Sequence, residues 1–242
     1  MSTADLSNTL SEAERVLQRM KSFHQERVDA IHKDQSHVQL NDPTRLIAHL
    51  IPEESVRAPK SLAAADLMRA GQSLRPFGDL DGGGYRDSRF NADGYLIYSG
   101  RNAVRFYTQL YRNGMYEGVM TEAVSQKNEA KTLMENWCEK AILDAMRGYL
   151  PFAKALALEQ PFWMFAALVG CEGAKLCLSR DWCDLSKHAV DRAIVWLPEC
   201  KIEAFDTDPE KHLRPMLDVL WNSVGMERAF SYDEQGNRKP RR

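Results

Sequence analysis

Apolar side chains at Val16, Leu17, Met20, Phe23, Val28 and Ile31 recur at three- and four-residue steps, with Glu, Arg, Gln and Lys opposite. That period predicts an amphipathic helix of roughly six turns. Ser11-Glu12-Ala13-Glu14 precedes the pattern as a capping box, in which the Ser11 hydroxyl accepts from the Glu14 amide and the Glu14 carboxylate accepts from the Ser11 amide. The helix is therefore expected to start there. Its apolar stripe requires a sheet, another helix or a second copy to pack on.

After Asp34 the pattern changes to short alternating or β-branched segments. Val38 to Leu40 and Leu46 to Ile51 read as strands joined by Asn41-Asp42-Pro43, and Pro52 ends the second. A short helical piece near Ser61 to Ala70 leads into a Gly- and Asp-rich loop without periodicity. Tyr95 to Ser99, Val104 to Tyr111 and Met115 to Thr121 then form a predicted three-strand meander, with Asn113-Gly114 as a type I′ hairpin turn.

From Asn128 to Leu150 the period returns to helical, through Leu133, Trp137, Ala141, Ile142, Ala145, Met146 and Tyr149, and Pro151 interrupts it. The run W-M-F-A-A-L-V-G after Pro161 reads as a strand buried on both faces. Ala189 to Leu197 and Lys201 to Phe205 read as edge segments, and Asp208-Pro209 opens a final helix that ends at Gly225.

The order of elements implies an α+β fold: a mainly antiparallel sheet of about five to seven strands flanked by an N-terminal helix, a long central helix and a C-terminal helix. The expected organisation is a flexible N-terminus over 1–10, one domain over 11–230 and a basic flexible tail over 231–242.

Composition narrows the function classes. The chain has 242 residues, and its 32 basic and 34 acidic side chains nearly cancel, so no overall field attracts a polyanion. Only the tail, with Arg238, Lys239, Arg241 and Arg242, departs from that balance. Five cysteines without C-x-x-C spacing read as reduced thiols. The longest apolar run, Pro161 to Gly170, is about half of the ~20 residues that a membrane span needs. A cytoplasmic protein is expected, with no membrane attachment and no secretory leader at Met1.

Candidate chemistry is sparse. Gly82-Gly83-Gly84 lacks the Gly-Lys-Ser/Thr ending of a phosphate loop. Arg75, Arg86 and Arg89 stand among Asp79, Asp81 and Asp87, so a mixed-charge loop could close on a small anionic ligand. Arg105, Tyr107, Gln109 and Tyr111 alternate onto one face of their strand, the composition of a binding surface and equally of a face covered by a helix. With Arg101 these supply the candidate binding set: Arg75, Arg86, Arg89, Arg101, Arg105 and Tyr107.

His49 lies within an apolar strand and reads as a satisfied core or edge residue, because spacing identifies no partner to orient it as a base. His24 and His32, eight apart on the first helix, are expected to face solvent. Cys171, Cys177 and Cys183 recur near His188 at a spacing that suits no known chelating loop, so no metal site is assigned. No catalytic residue and no cofactor is assigned either.

Several fragments resemble the C-terminal region of bacterial Schlafen/AlbA-type putative ATP-binding proteins, which include members annotated with helix-turn-helix domains. They are F-H-Q-E-R-V-D-A-I, L-I-A-H-L-I-P-E-E-S, R-F-N-A-D-G-Y-L-I-Y-S-G, Y-T-Q-L-Y-R-N-G-M-Y-E, F-D-T-D-P-E-K-H-L-R-P-M-L-D-V-L-W-N-S-V-G and Y-D-E-Q-G-N, spread over residues 15 to 237. The AlbA-like half of those proteins has no counterpart here, so its nucleotide or nucleic-acid activity does not transfer. The resemblance implies an accessory or sensory domain beside a separate partner chain, such as an AlbA-type ATPase or nuclease subunit, in bacterial regulation or phage defence.

The expected function is non-catalytic binding of a partner protein or small ligand. The alternatives are a nucleic-acid accessory and an enzyme with a dispersed site. Homo-oligomerisation through the first helix is also open.

Overall fold

The computed structural model describes residues 11–79, 85–100, 103–127, 130–177 and 185–239. Helix α1 (Glu12–His32) begins on the expected capping box, with both reciprocal hydrogen bonds between Ser11 and Glu14 formed. Strand β1 (Arg45–Pro52) follows, then the short helices α2 (Glu54–Arg57) and α3 (Ala64–Ser73). Strands β2 (Arg86–Phe90), β3 (Gly94–Ser99), β4 (Phe106–Tyr111) and β5 (Tyr116–Thr121) form an antiparallel meander, and β1 pairs beside β5.

Strands β6 (Val124–Lys127) and β7 (Ala130–Leu133) precede the long helix α4 (Glu135–Ala155), which leads to β8 (Phe162–Val169). Short strands β9 (Lys175–Cys177), β10 (Leu185–Ala189), β11 (Ile194–Trp196) and β12 (Cys200–Ile202) and helices α5 (Pro209–His212) and α6 (Arg214–Asn222) complete the chain. The main sheet has eight strands, ordered β11-β8-β1-β5-β4-β3-β2 with β12 also on β8, and a second sheet has four, ordered β10-β9-β7-β6. The fold is thus the expected α+β class, with more strands than anticipated.

The two faces of the main sheet are covered differently. Even-numbered positions of β1, such as Leu46, Ala48 and Leu50, join Phe106, Leu110, Tyr116 and Met120 in the larger core against α4 and α6. Odd-numbered positions, such as Ile47 and Ile51, pack against Val16, Met20, Val28 and Ile31 of α1. The stripe read from the sequence is therefore spent on the sheet. Arg45 holds the end of that helix, its guanidinium donating to the Ile31 carbonyl and to the Asp34 carboxylate.

Several local expectations change. Val38 to Leu40 form no strand, only an isolated bridge from Leu40 to Val104. The hairpin between β4 and β5 closes through a Tyr111 to Met115 backbone bond of 2.8 Å and a Gly114 to Tyr111 bond of 3.0 Å. Gly114 has φ +87°, while Asn113 is not in the left-handed region. This is a three-residue loop with a glycine bulge, not a type I′ turn.

Helix α4 starts later than its period suggested, because Ala130–Leu133 is drawn into a ladder with β6 and β9. It also runs through Pro151, whose exposed position leaves the unpaired carbonyl one turn earlier within reach of water. The described part of the expected flexible tail is packed: Tyr232 is buried, and Arg238 bonds Glu139 at 3.3 Å and lies 3.7 Å from Glu210. Among the described residues, no helix is long and apolar enough to cross a membrane.

Gly118 of β5 lets the buried Phe77 ring lie directly on the sheet, since a Cβ there would stand 2.5 Å from the ring. Gly118→Ala is expected to destabilise the fold by about 1–3 kcal/mol through overpacking, measured by chemical denaturation. An unchanged midpoint would show that the 74–79 loop is not pinned by this contact.

Candidate functional site

Strand register assembles a polar row beneath α1. Arg89, Leu96, Gln109, Glu117, His49 and Phe165 align across β2, β3, β4, β5, β1 and β8. Glu117 and His49 are fully buried in the middle of it. Helix α1 adds His24 and Arg27, which sit on its apolar stripe one turn after Met20 and one residue before Val28.

The Glu117 carboxylate is held by five donors. Arg27 makes a bidentate contact, Nε to Oε2 at 2.7 Å and Nη2 to Oε1 at 3.0 Å. The Tyr107 hydroxyl donates to Oε1 at 2.7 Å, the Tyr111 hydroxyl to Oε2 at 3.1 Å and His49 Nε2 to Oε2 at 3.1 Å. His37 Nε2 donates to the Tyr111 oxygen at 3.1 Å, and His49 Nδ1 lies 2.8 Å from His24 Nδ1. With His49 Nε2–H on the carboxylate, one of the two facing Nδ1 atoms donates to the other.

The electrostatics follow from burial and this saturation. Burial acts to raise the Glu117 carboxyl, but the hydrogen bonds from His49 and Arg27, with the Arg27 charge, overcome it and hold the group well below the usual carboxylate range. Burial, reinforced by His49, pushes His24 well below its ordinary value. Burial likewise lowers His37 and raises the Tyr107 and Tyr111 hydroxyls. Both carboxylate oxygens are occupied, so the cluster presents no free acceptor to a substrate and fastens α1 to the sheet.

The opposite face holds a cleft of about 200 Å³ between the 74–79 loop and α4. Arg75 and Asp79 line one wall, Lys140 and Asp144 the other, with Tyr116 between them. Asp79 accepts from Arg86 at 2.7 Å and Asp144 from Arg147 at 3.2 Å, besides its contact with Lys140. Both acids are thus shared with a cation outside the lining. The lining carries two cations and two acids, and no ion pair of Arg75 is found among the described residues.

The predicted binding residues do not converge on one surface. Arg75 lines the cleft and Arg86 supports it through Asp79. Arg89 is exposed on β2, whereas Arg105 pairs with Glu122 at 2.5 Å beside the Phe106 ring. Tyr107 belongs to the buried cluster, together with Tyr111, under the helix that explains their face. Arg101 lies outside the described residues, as do Gly82-Gly83-Gly84 and Cys183. His24 is buried rather than solvent-facing, because its position continues the stripe Val16, Met20, Val28.

Glu117, Arg27 and His37 escaped the sequence reading. A carboxylate within the strand Tyr116–Thr121 and an arginine beside an apolar stripe were the available signals. Among the described residues, no group of His, Cys, Asp and Glu could hold a metal ion. Comparison of the chain with protein-family models, curated proteins and solved structures found no match. The Schlafen/AlbA resemblance rests on the quoted fragments alone.

Glu117→Ala leaves the Arg27 guanidinium without its counter-charge and is expected to cost about 3–5 kcal/mol, read from denaturant midpoints. The cluster also sets an acid limit. An unfolded chain takes protons on His24 and His37 as pH falls below the ordinary value of 6.5, whereas the folded chain resists them. Their contribution to stability is therefore complete above that value and is lost as the pH falls toward the depressed folded values. Stability measured against pH should decline below about pH 6.5, and in His24→Leu the slope should flatten by up to about one proton, ~1.4 kcal/mol per pH unit. Identical slopes would remove His24 from this role.

Proposed function

We propose that this chain is a non-catalytic binding domain that recognises an acidic group in the cleft between the 74–79 loop and α4. The observation that carries the reading is Arg75: it lines the cleft with no ion pair found among the described residues, whereas Asp79 pairs with Arg86 and Lys140 shares Asp144 with Arg147. A cavity of about 200 Å³ suits a small carboxylate or the acidic side chain of a partner protein rather than a large cofactor. Guanidinium and ammonium groups on opposite walls supply charge-assisted hydrogen bonds to such a group.

Two features support this reading, one against the enzyme alternative and one against the nucleic-acid alternative. The conspicuous ionisable cluster is saturated by its own neighbours. The basic tail is partly spent inside the fold, since Arg238 serves Glu139 and Glu210. On this reading any catalysis belongs to a separate partner chain, in keeping with the implication of the Schlafen/AlbA resemblance.

A thermal-shift and calorimetric series with acetate, malonate, free glutamate and a polyglutamate peptide tests the site. At about 100 times its Kd a ligand adds ~2.7 kcal/mol, which raises Tm by roughly 5 °C or more for a chain of this size. Binding should disappear in Arg75→Ala/Lys140→Ala. Response to the small acids assigns a metabolite-type ligand, and response to the peptide alone assigns a partner's acidic side chain. No response, or one that survives the double substitution, overturns the proposal.

A further inference from the structure

Strand β2 is the end of the main sheet, pairing among the described residues only with β3, and all five of its residues are exposed. The bonds that close its two ends establish which backbone groups point outward. Gly100 N donates to the Tyr85 carbonyl at 3.1 Å and Asn91 N to the Gly94 carbonyl at 3.0 Å. In the register Arg86↔Ser99 to Phe90↔Tyr95, residues 85, 87, 89 and 91 therefore turn their N–H and C=O toward β3. Arg86, Ser88 and Phe90 turn theirs away from the sheet.

The side chains on this edge are self-complementary. When Arg86-Asp87-Ser88-Arg89-Phe90 is laid antiparallel on a second copy about Ser88, each Asp87 faces Arg89 of the other chain and each Arg86 faces Phe90. Asp87 and Arg89 fall at the closer, non-hydrogen-bonded positions of such a ladder, where opposite charges interact best. Arg86 and Phe90 supply a cation–aromatic contact on the other face. The outward N–H and C=O groups of Arg86, Ser88 and Phe90 all find partners in this register.

The alternatives are penalised. Sliding the second copy to either neighbouring register that preserves the backbone bonds places Asp87 against Asp87 or Arg89 against Arg89. The unpaired chain also has a stand-in for the missing strand, since the outward Ser88 amide donates to Asp87 Oδ1 at 2.7 Å. Pairing transfers that amide to the Ser88 carbonyl of the second copy and frees Oδ1 for Arg89, while Tyr98 continues to hold Oδ2 at 3.0 Å. Tyr85 and Phe90, exposed by 50% and 45%, flank the edge and would be covered in part.

We infer that β2 is a homodimer interface, in which two copies join edge to edge about Ser88 into one continuous antiparallel sheet. The surface meets the cleft only at Arg86, which bonds Asp79 there, and the pairing of Asp87 with Arg89 does not depend on the cleft.

Sedimentation of the full chain over a wide concentration range tests the interface. Wild type should show a monomer–dimer equilibrium that weakens with salt. Asp87→Arg and Arg89→Asp, each placing like charges opposite one another twice, should each raise the dimer Kd at least about tenfold. The double variant D87R/R89D should recover dimerisation, and a mixture of the two single variants should form a heterodimer. Thermal melts check that all three remain folded, and both side chains are exposed in the single chain. A wild type that stays monomeric up to its solubility limit overturns the inference. So do single variants that dimerise normally, or a double variant that does not recover.

Discussion

One buried carboxylate organises half of this protein. Glu117 has been taken out of water in the middle of the sheet, and a bare charge there would be untenable. Arg27 must therefore lie over it in a bidentate contact, with His49, Tyr107 and Tyr111 filling the remaining acceptor sites. Arg27 belongs to α1, so the helix cannot rotate or slide on the sheet without leaving opposite charges separated and buried. Apolar contacts from Val16, Met20, Val28 and Ile31 hold the helix down, and the ion pair determines where.

That division separates the stabilising cluster from the two surfaces proposed for recognition. On the α1 face the polar groups are mutually satisfied and carry the acid sensitivity of the fold. On the α4 face Gly118 allows Phe77 to anchor a loop whose next residues wall a small charged cleft. The β2 edge is a third region, where backbone groups rather than a pocket remain open to a partner. The binding proposed at the second or third region would leave the first undisturbed, because the sheet lies between the cleft and the cluster and β2 stands at its margin.

The signals read correctly from the sequence are those whose physics closes within a few residues. Ser11 and Glu14 cap each other, Asp208 accepts from the Glu210 amide ahead of its helix, and the strands over 46–51, 95–99, 116–121 and 162–169 follow their apolar and β-branched runs. Errors arose where a distant strand decided the outcome. Ala130–Leu133 has helical periodicity but is taken into a ladder with β6 and β9, and His24 looks like one more polar helical residue until β1 brings His49 against it.

The candidate site was legible only as isolated residues. Arg75 and Arg86 were noticed for their charge, yet their counterparts Lys140 and Asp144 lie far along the chain on helix α4. By itself the sequence determined the class of fold, the capped helices, most of the strands and the absence of a recognisable catalytic motif, because propensity, capping and period act locally. Tertiary structure alone decided that Glu117 and Arg27 meet, that Tyr107 is buried while Arg89 is exposed, and which backbone groups of β2 face outward. Those outcomes depend on strand order and register, which arise from contacts between residues separated by tens of positions, and no local pattern encodes them.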